Sequence, residues 1–484
     1  MARGEYFTFK SLQDLRRRVE ELGLAGELGF ADLAPGAPLK AAEPLRFGPF
    51  ELANRFVAHP MEGWDADAET GAPTPDVIRR WERMGASGAA LIWGVEAFAL
   101  AHEYRANPHQ LVLAPENEGA IAEGLKRMRA ASPIKVSVGA QLTCSGRYSH
   151  GRPKGSPLLL TYHHPELDRR LGAGPDTPLM SDMKMEDIVG EYARAARIAV
   201  NAGFDFLDIK ACHRYWLNET LAAKTRPGNY GGPFENRVKI FLMIVDAVRR
   251  EVGEGVPLGT RLNAYDGLPF EEDPATRSPG LKGRGRVSPF TIPYVWGWGM
   301  DEADPTRADL AEPSRLLGLL KRKGLRMVNL SSGSPYSNPH FSRPTETPPV
   351  DGYQPHHDPL IEVARQFSLA RALKKEHPDL SFVGTGYSYL RHHKLAAAEH
   401  NLRRGDVDAV GLGRALLAYP DEIRELLTKG EARPSKGKIV CTGDSACTTG
   451  PRLGLNSGCI FDPHYQALMR EIQGKLVEQG LGRK

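Results

Sequence analysis

Two short glycine motifs near the end of the chain have the composition of a phosphate-binding site. They are Gly384-Thr-Gly386 and Gly411-Leu-Gly413-Arg414. Glycines let backbone N–H groups come close to an anion, and the arginine adds a forked, permanently charged partner. One such motif alone is a weak signal, since glycine and arginine are common in turns. Two motifs in succession predict a phosphate site.

A second chemical feature is a group of cysteines near the C-terminus. Three of the five cysteines, Cys441, Cys447 and Cys459, lie within nineteen residues of one another. Three thiols with this spacing, in a chain with an odd number of cysteines, suggest a metal site rather than disulfides.

A repeated strand-then-helix pattern must position these residues. Eight short β-rich runs begin near residues 55, 90, 135, 204, 258, 327, 380 and 407, and each ends in glycine, polar residues or a turn signal. Stretches with helical periodicity separate them, as at 188–202, 234–252 and 310–323, and one more helix is expected at 12–22. Alternating strands and helices require crossovers and a parallel sheet, and eight repeats favour closure into a barrel.

We therefore predict an α/β fold, a (β/α)₈ TIM barrel over 51–436, with an N-terminal extension over 1–50 and a C-terminal cysteine-containing segment over 437–484. An open doubly wound sheet is the alternative, but it usually carries a glycine-rich turn after its first strand, and none follows His59 here. In a TIM barrel the active site lies at the carboxyl ends of the strands. The loop 266–305 is either a lid over that site or a surface excursion packed on the barrel.

Composition excludes several classes of protein. Hydrophobic residues make up 41% and charged residues 25%, the balance of a soluble globular protein. A net charge of +4 over 484 residues suggests no nucleic-acid partner. No run of about 18 apolar residues predicts a membrane span. The N-terminus lacks a secretory pattern and the cysteines are few, so we expect a cytoplasmic protein.

Three motifs spread along the chain resemble those of the old yellow enzymes and related NADH:flavin oxidoreductases. They are Asn54-Arg55-Phe with Pro60-Met61, Gly232-Pro-Phe-Glu235-Asn236-Arg237 after Tyr230-Gly231, and Gly411-Leu-Gly413-Arg414 with Pro420-Asp421. The motifs occur in the same order as in the family, and the resemblance covers residues from about 54 to 463. Within the family, the chain is most similar to the 2,4-dienoyl-CoA reductase and trimethylamine dehydrogenase branch. It implies an FMN-binding barrel and says much less about the substrate.

The resemblance also implies which residues hold FMN. They are Pro60, Met61, Glu62, Gly94, Gln141, Arg261, Gly386, Gly413 and Arg414. Pro60 to Glu62 would line the flavin through backbone contacts, and Gln141 would bond its pyrimidine edge. Arg261 would face N1 and O2, where a fixed guanidinium stabilises the charge that reduction creates. Arg414 and the two glycines would hold the phosphate. The alternative for both arginines is a surface or interdomain ion pair.

The spacing Lys210-x-x-His213-x-Tyr215 resembles the catalytic motif of the family. There the first and fourth positions donate hydrogen bonds to the substrate oxygen, and the tyrosine delivers a proton. Such donors polarise a carbonyl so that its β-carbon accepts hydride from flavin N5, and an acid protonates the α-carbon. Lys210 departs from the pattern. It would bind an anionic substrate group, stabilise an oxyanion, or pair with a carboxylate such as Asp208.

The cysteine segment resembles the iron–sulfur segment of the same branch, which has four cysteines. Cys441, Cys447 and Cys459 match three ligand positions, and Asp444 stands at the second. We favour a bound iron–sulfur cluster with these four ligands, and a segment that binds nothing is the alternative. A cluster would relay electrons from a protein partner, whereas without one a nicotinamide nucleotide would reduce the flavin directly.

The predicted activity is FMN-dependent reduction of an activated C=C bond of an enone or enoyl substrate, with protonation by Tyr215. NAD(P)H or an electron-transfer protein would be the reductant. Alternatives are an amine or other C–H dehydrogenase that passes electrons to a partner, a metal-dependent barrel hydrolase, and a flavin carrier. The hydrolase ranks low because no His-x-His pair follows the strands. A small-molecule substrate is expected, and a homo-oligomer is compatible with the sequence.

Overall fold

The computed structural model describes residues 5–150, 157–278, 282–435 and 437–479. Eight short strands form a barrel: Phe56–Ala58, Leu91–Ile92, Ser137–Thr143, Phe206–Ile209, Leu258–Tyr265, Met327–Ser332, Ser381–Gly384 and Ala409–Leu412. Each strand pairs in parallel with the next along the chain, and the eighth pairs with the first, with Val410 opposite Phe56. The predicted (β/α)₈ barrel is therefore confirmed.

The α-helices surround this barrel and flank it at both ends. Their bounds are Leu12–Glu21, Pro75–Gly85, Glu118–Ala131, Pro165–Arg170, Asp182–Ala202, Trp216–Ala222, Phe234–Val252, Ala311–Arg322, Pro339–Ser342, Leu360–Glu376, Lys394–Arg404, Ala415–Ala418, Glu422–Lys429, Ala446–Arg452 and Leu468–Glu478. The helix predicted from residue 188 begins earlier because the Ser181 hydroxyl accepts a hydrogen bond from the backbone N–H of Lys184. It ends at Gly203, which has a left-handed φ of 98°.

The five remaining short strands lie outside the barrel ring. Ala97–Ala99 adds in parallel to the edge of the third barrel strand. Leu45–Phe47 pairs with Phe50–Leu52, and Phe270–Glu272 pairs with Gly285–Val287, both antiparallel.

Aromatic side chains fill the amino-terminal end of the barrel. Phe47 from the first hairpin is fully buried, and its ring lies edge-on to Trp93 at 6.3 Å. Trp93 in turn contacts Phe206 at 5.4 Å. Because this end is packed with apolar groups, the open end of the barrel is the carboxyl end of the strands.

The segment 266–305 packs on the barrel wall. Trp298 is buried, its indole N–H donates to the Asn263 carbonyl at 3.0 Å, and its backbone N–H donates to Asp266 at 3.0 Å. None of its described residues lines the cleft at the carboxyl ends of the strands. This placement favours the packed-excursion interpretation of the segment over the lid.

The C-terminal segment has a small apolar core of its own. That core contains Ala446, Leu453, Tyr465, Leu468 and Ile472. Arg79 of the barrel binds Asp462 at 2.9 Å and anchors the segment. Residues 1–4 of the predicted N-terminal extension and 480–484 of the predicted C-terminal segment lie outside the described residues. Within the described ranges, no helix combines the length and the apolar character that crossing a bilayer requires.

Candidate active site

The carboxyl ends of the strands surround a cleft with about 1510 Å³ of open space. Its lining includes these predicted residues: Pro60, Met61, Glu62, Gln141, Lys210, His213, Tyr215, Arg261, Gly386, Gly413, Arg414, Cys441 and Cys447. Gly94 lies behind this lining. A Cβ there would stand 3.1 Å from the Cβ of Gln141 and 3.3 Å from that of Pro60. Glycine at this position therefore lets the first and third strand ends pack closely.

The Glu62 carboxylate connects several groups in the cleft. It lies 2.8 Å from the Lys210 ammonium and accepts hydrogen bonds from the Trp64 indole at 3.1 Å and the Tyr215 hydroxyl at 2.9 Å. Glu62 was expected to act through its backbone, so this side-chain role is a finding of the structure. Of the three roles considered for Lys210, the structure shows pairing with a carboxylate, and the partner is Glu62 rather than Asp208.

Asp208 instead fixes two of the predicted flavin residues. It is fully buried and accepts hydrogen bonds from the Gln141 side chain and from the backbone N–H of Arg261, both at 2.6 Å. Burial raises the pKa of Asp208 to about 6, although these hydrogen bonds oppose the rise. Because the Gln141 NH₂ group is directed at Asp208, its amide oxygen remains available to a ligand N–H.

Tyr215 holds its proton firmly. Burial, followed by the nearby Glu62 carboxylate and Tyr336, raises the pKa of Tyr215 well above its usual value. The Tyr336 hydroxyl lies 2.9 Å from that of Tyr215, and the Tyr336 ring stacks on Tyr148 at 4.1 Å. The sequence motif did not include Tyr336. Its only signal was its position in the polar, proline-containing loop after the sixth strand.

His213 enters the cleft from a tight turn after the fourth strand. His213 and Arg214 have left-handed φ angles of 66° and 58°, which are uncommon for residues other than glycine. The His213 Nε2 atom lies 2.9 Å from the Ser331 hydroxyl. Desolvation, then the positive charges of Arg261 and Lys210, lower the pKa of His213 well below its usual value. The imidazole is therefore neutral at physiological pH.

Two arginines in the cleft have no acidic partner among the described residues. Neither Arg261 nor Arg414 lies within 4.0 Å of a carboxylate there, and the buried Nε of Arg261 has no hydrogen-bond acceptor. The surface or interdomain ion pairs considered as the alternative are thus not present in the described part of the chain. Cations left without a partner in a cleft fit an anionic ligand.

The glycine loops fit the same ligand. Gly386 has a φ of 103°, which favours glycine, and a Cβ at Gly411 would overlap the His59 ring. His59 was not predicted as a site residue. Its ring nitrogens make hydrogen bonds with the side chains of Asn329 at 3.1 Å and Thr385 at 3.0 Å. The ring packs beneath the two glycine loops. The two arginines, Gln141 and the two glycine loops together fit the ring and phosphate of FMN.

The cysteine segment does not form the predicted metal centre. Cys441, Asp444, Cys447 and Cys459 line a small cavity beside the main cleft. Across the described ranges, however, no three His, Cys, Asp or Glu side chains are arranged to hold a metal ion. The Asp444 carboxylate is bonded locally, to the Thr442 hydroxyl and the Ala446 N–H, both at 2.9 Å. An iron–sulfur cluster is therefore not supported.

The fold is a TIM barrel whose cleft fits a flavin, and comparison with known sequences agrees. Residues 41–275 match the sequence model of the NADH:flavin oxidoreductase / NADH oxidase family. A metal reductase of Desulforamulus reducens is 28% identical over 231 residues, 47% of this chain and 33% of that protein. An NADPH dehydrogenase of Halalkalibacterium halodurans is 28% identical over 285 residues, 56% of this chain and 80% of that protein. The match over residues 41–275 and these relatives support the NADH:flavin oxidoreductase family for this chain.

Solved structures show the same fold at low sequence identity. A 2-naphthoyl-CoA reductase in complex with 2-naphthoyl-CoA superposes with a TM-score of 0.62 at 17% identity, covering 90% of this chain and 58% of that one. Morphinone reductase in complex with tetrahydroNAD gives a TM-score of 0.57 at 21% identity, covering 83% and 93%. The match to the first curated relative spans only a third of that protein's length.

Proposed function

We propose that this protein is an FMN-dependent NAD(P)H oxidoreductase that reduces an activated C=C bond. The observation that carries the proposal is the meeting, in one cleft, of two kinds of groups. Arg261 and Arg414 are cations without acidic partners among the described residues, and beside them His213 and Tyr215 present a neutral imidazole and a protonated hydroxyl. The first set suits an anionic flavin, and the second suits a carbonyl that must be polarised and protonated.

The division of work among the residues follows from their contacts. Arg261 and Gln141 would bind the flavin ring, while Gly386, Gly413 and Arg414 would hold its phosphate. When FMN is bound, its reduced ring supplies the hydride. His213 would donate a hydrogen bond to the substrate carbonyl, and Lys210 would place positive charge nearby. Tyr215 would then give its proton to the α-carbon.

The surroundings of Tyr215 favour a planar, conjugated substrate. Tyr148 and Tyr336 stack at 4.1 Å, and the Tyr215 ring lies 6.0 Å from that of Tyr336, with an angle of 29° between their planes. Aromatic faces of this kind pack well against a flat acceptor such as an enone or an enoyl thioester. The structural neighbour described in complex with 2-naphthoyl-CoA, a flat aromatic thioester, supports this substrate class.

Amine oxidation, the alternative, has less support. Glu62 is the acidic side chain among the described residues that line the cleft, and Lys210 already neutralises it. A substrate ammonium would therefore meet a cleft with an excess of positive charge and no free carboxylate. For the electron source, relatives named NADPH dehydrogenase favour a nicotinamide nucleotide.

Anaerobic flavin kinetics test the proposal. The purified protein should be yellow with FMN, be reduced by NADH or NADPH, and be reoxidised by members of a panel of enones and enoyl thioesters. Methylamines added to the same panel should not reduce the flavin. Tyr215→Phe is the matched variant, and it should slow reoxidation by the enone while leaving reduction by the nucleotide unchanged. Colourless protein that takes up no FMN would refute the proposal, and so would flavin reduction by amines alone.

A further inference from the structure

Arg343 is a third cation in the cleft that the family motifs do not include. It follows the short helix Pro339–Ser342 in the loop after the sixth strand, and it lines the cleft together with Gly413 and Arg414. Its guanidinium donates one hydrogen bond, to the neutral Ser445 hydroxyl at 3.3 Å. No carboxylate among the described residues lies within 4.0 Å of it.

Other arginines at the same cleft are already neutralised. Arg452 binds Asp351 at 2.6 Å, and Arg391 lies 3.8 Å from Glu346. Arg80 binds Asp65 at 2.6 Å. Arg343 therefore differs from these three arginines and resembles Arg261 and Arg414, since it brings a positive charge to the cleft with no acid among the described residues to balance it.

The positive charge of Arg343 also acts on Arg414. The pKa of Arg414 falls to about 9, first because of its burial and next because of the positive charge of Arg343. Two guanidiniums that line the same cleft, with no acidic partner among the described residues, fit an anion of charge two. A phosphate monoester carries a charge of about −1.5 to −2 at pH 7. One arginine would leave part of that charge unbalanced inside the cleft, where an unpaired charge is costly.

We propose that Arg343 is a second cation of the flavin-phosphate site and binds the phosphate opposite Arg414. This inference rests on the proposed function, since it requires FMN as the cofactor. It adds the loop after the sixth strand to a site that the glycine motifs place on the seventh and eighth strands alone. The competing position for the Arg343 side chain is the cavity lined by Cys441 and Cys459, where it would not contact the flavin.

The test compares FMN with riboflavin, which lacks only the phosphate. Binding of each flavin to flavin-free protein is measured by quenching of flavin fluorescence, for wild type, Arg343→Gln and Arg452→Gln. Arg343→Gln should weaken FMN binding by roughly 10- to 100-fold, the range for losing one charge-assisted hydrogen bond. Riboflavin binding should not change. Arg452→Gln is the control, because Arg452 is paired with Asp351 in the wild type. It should leave the ratio of FMN affinity to riboflavin affinity unchanged.

Each outcome decides one of the two proposals. If wild type binds neither flavin, the proposed function fails. If wild type prefers FMN and Arg343→Gln keeps the same preference, only the proposed role of Arg343 fails. The Arg343 side chain then lies in the cavity lined by Cys441 and Cys459. Equal loss of both flavins would also overturn that role, because it would indicate general damage to the cleft. Should Arg343→Gln not fold, as judged by circular dichroism, Arg343→Lys is measured instead. It keeps the charge without the fork and should show an intermediate loss of FMN preference.

Discussion

Replacing Glu62 by glutamine removes the acidic half of a largely buried ion pair. The Lys210 side chain is 3% exposed and that of Glu62 is 15% exposed. The ammonium lies 2.8 Å from the carboxylate, and no other carboxylate among the described residues lies within 4.0 Å of it. The variant therefore leaves a buried positive charge without its counter-ion, which is the costly case for a buried pair.

The size of the effect follows from what glutamine can still do. Breaking a buried pair by removing one partner costs roughly 3–5 kcal/mol. The glutamine oxygen still accepts a hydrogen bond from Trp64 or Tyr215. The glutamine NH₂ group is itself a donor, so it cannot accept the hydrogen bond of the Lys210 ammonium. Because Glu62 is partly exposed, we expect the free energy of unfolding of Glu62→Gln to fall by about 2–3 kcal/mol, somewhat less than the cost for a fully buried pair.

A double-mutant cycle measures this directly. Urea unfolding of flavin-free protein is compared for wild type, Glu62→Gln, Lys210→Met and the double variant. The double variant should be more stable than Glu62→Gln alone, by at least about 1 kcal/mol, because the unpaired ammonium is gone. A cost below about 0.5 kcal/mol for Glu62→Gln, or strictly additive costs in the cycle, would refute the assignment of Lys210 as a paired cation.

Three further predictions concern the neighbouring residues. Tyr215→Phe should slow reoxidation of the reduced flavin by an enone by roughly 10²- to 10⁴-fold, the usual contribution of a general acid. Tyr336→Phe should slow the same step by less than about tenfold, because Tyr215 keeps its hydrogen bond to Glu62. Rapid-mixing kinetics measure both rates. Arg261→Gln should lower the two-electron reduction potential of bound FMN, by about 30 mV for each 1.4 kcal/mol of lost stabilisation, in a titration against a reference dye. Asp208 is buried with a pKa raised from 3.8 to about 6, so its protonated form stabilises the fold below pH 3.8 and this contribution is lost as the pH rises through 6. Between pH 4 and 7, wild type should therefore lose about 2 kcal/mol relative to Asp208→Asn in urea unfolding, and parallel curves for the two proteins would contradict that pKa.

Local sequence patterns were enough to predict the elements of the fold. The helix predicted over 234–252 is Phe234–Val252 in the structure, and each of the eight β-rich runs overlaps a barrel strand. Helical periodicity, strand runs and the glycines that end elements are properties of neighbouring residues, so they can be read without knowing the tertiary structure. The placement of Gly413 and Arg414 in the cleft was predictable for the same reason, since a strand end in a barrel always faces the site.

The partners of these residues depended on tertiary structure. Glu62 and Lys210 are 148 residues apart, and Tyr215 and Tyr336 are 121 residues apart. Asp208 was the sequence neighbour considered as one possible partner of Lys210. Two residues along a strand are about 6.8 Å apart, so Lys210 lies one layer further out than Asp208, level with the loop that carries Glu62.

The sequence by itself determined the barrel, its strand ends and the chemical types of residue present there. The closure of the barrel decided which of these residues meet, because it joins the first strand to the eighth and brings loops from across the chain to one rim. That is why the free charge of Arg343 and the pairing of Lys210 are visible only in the folded protein. The three cysteines illustrate the limit of spacing alone, since their side chains do not come together as a metal centre in the described structure.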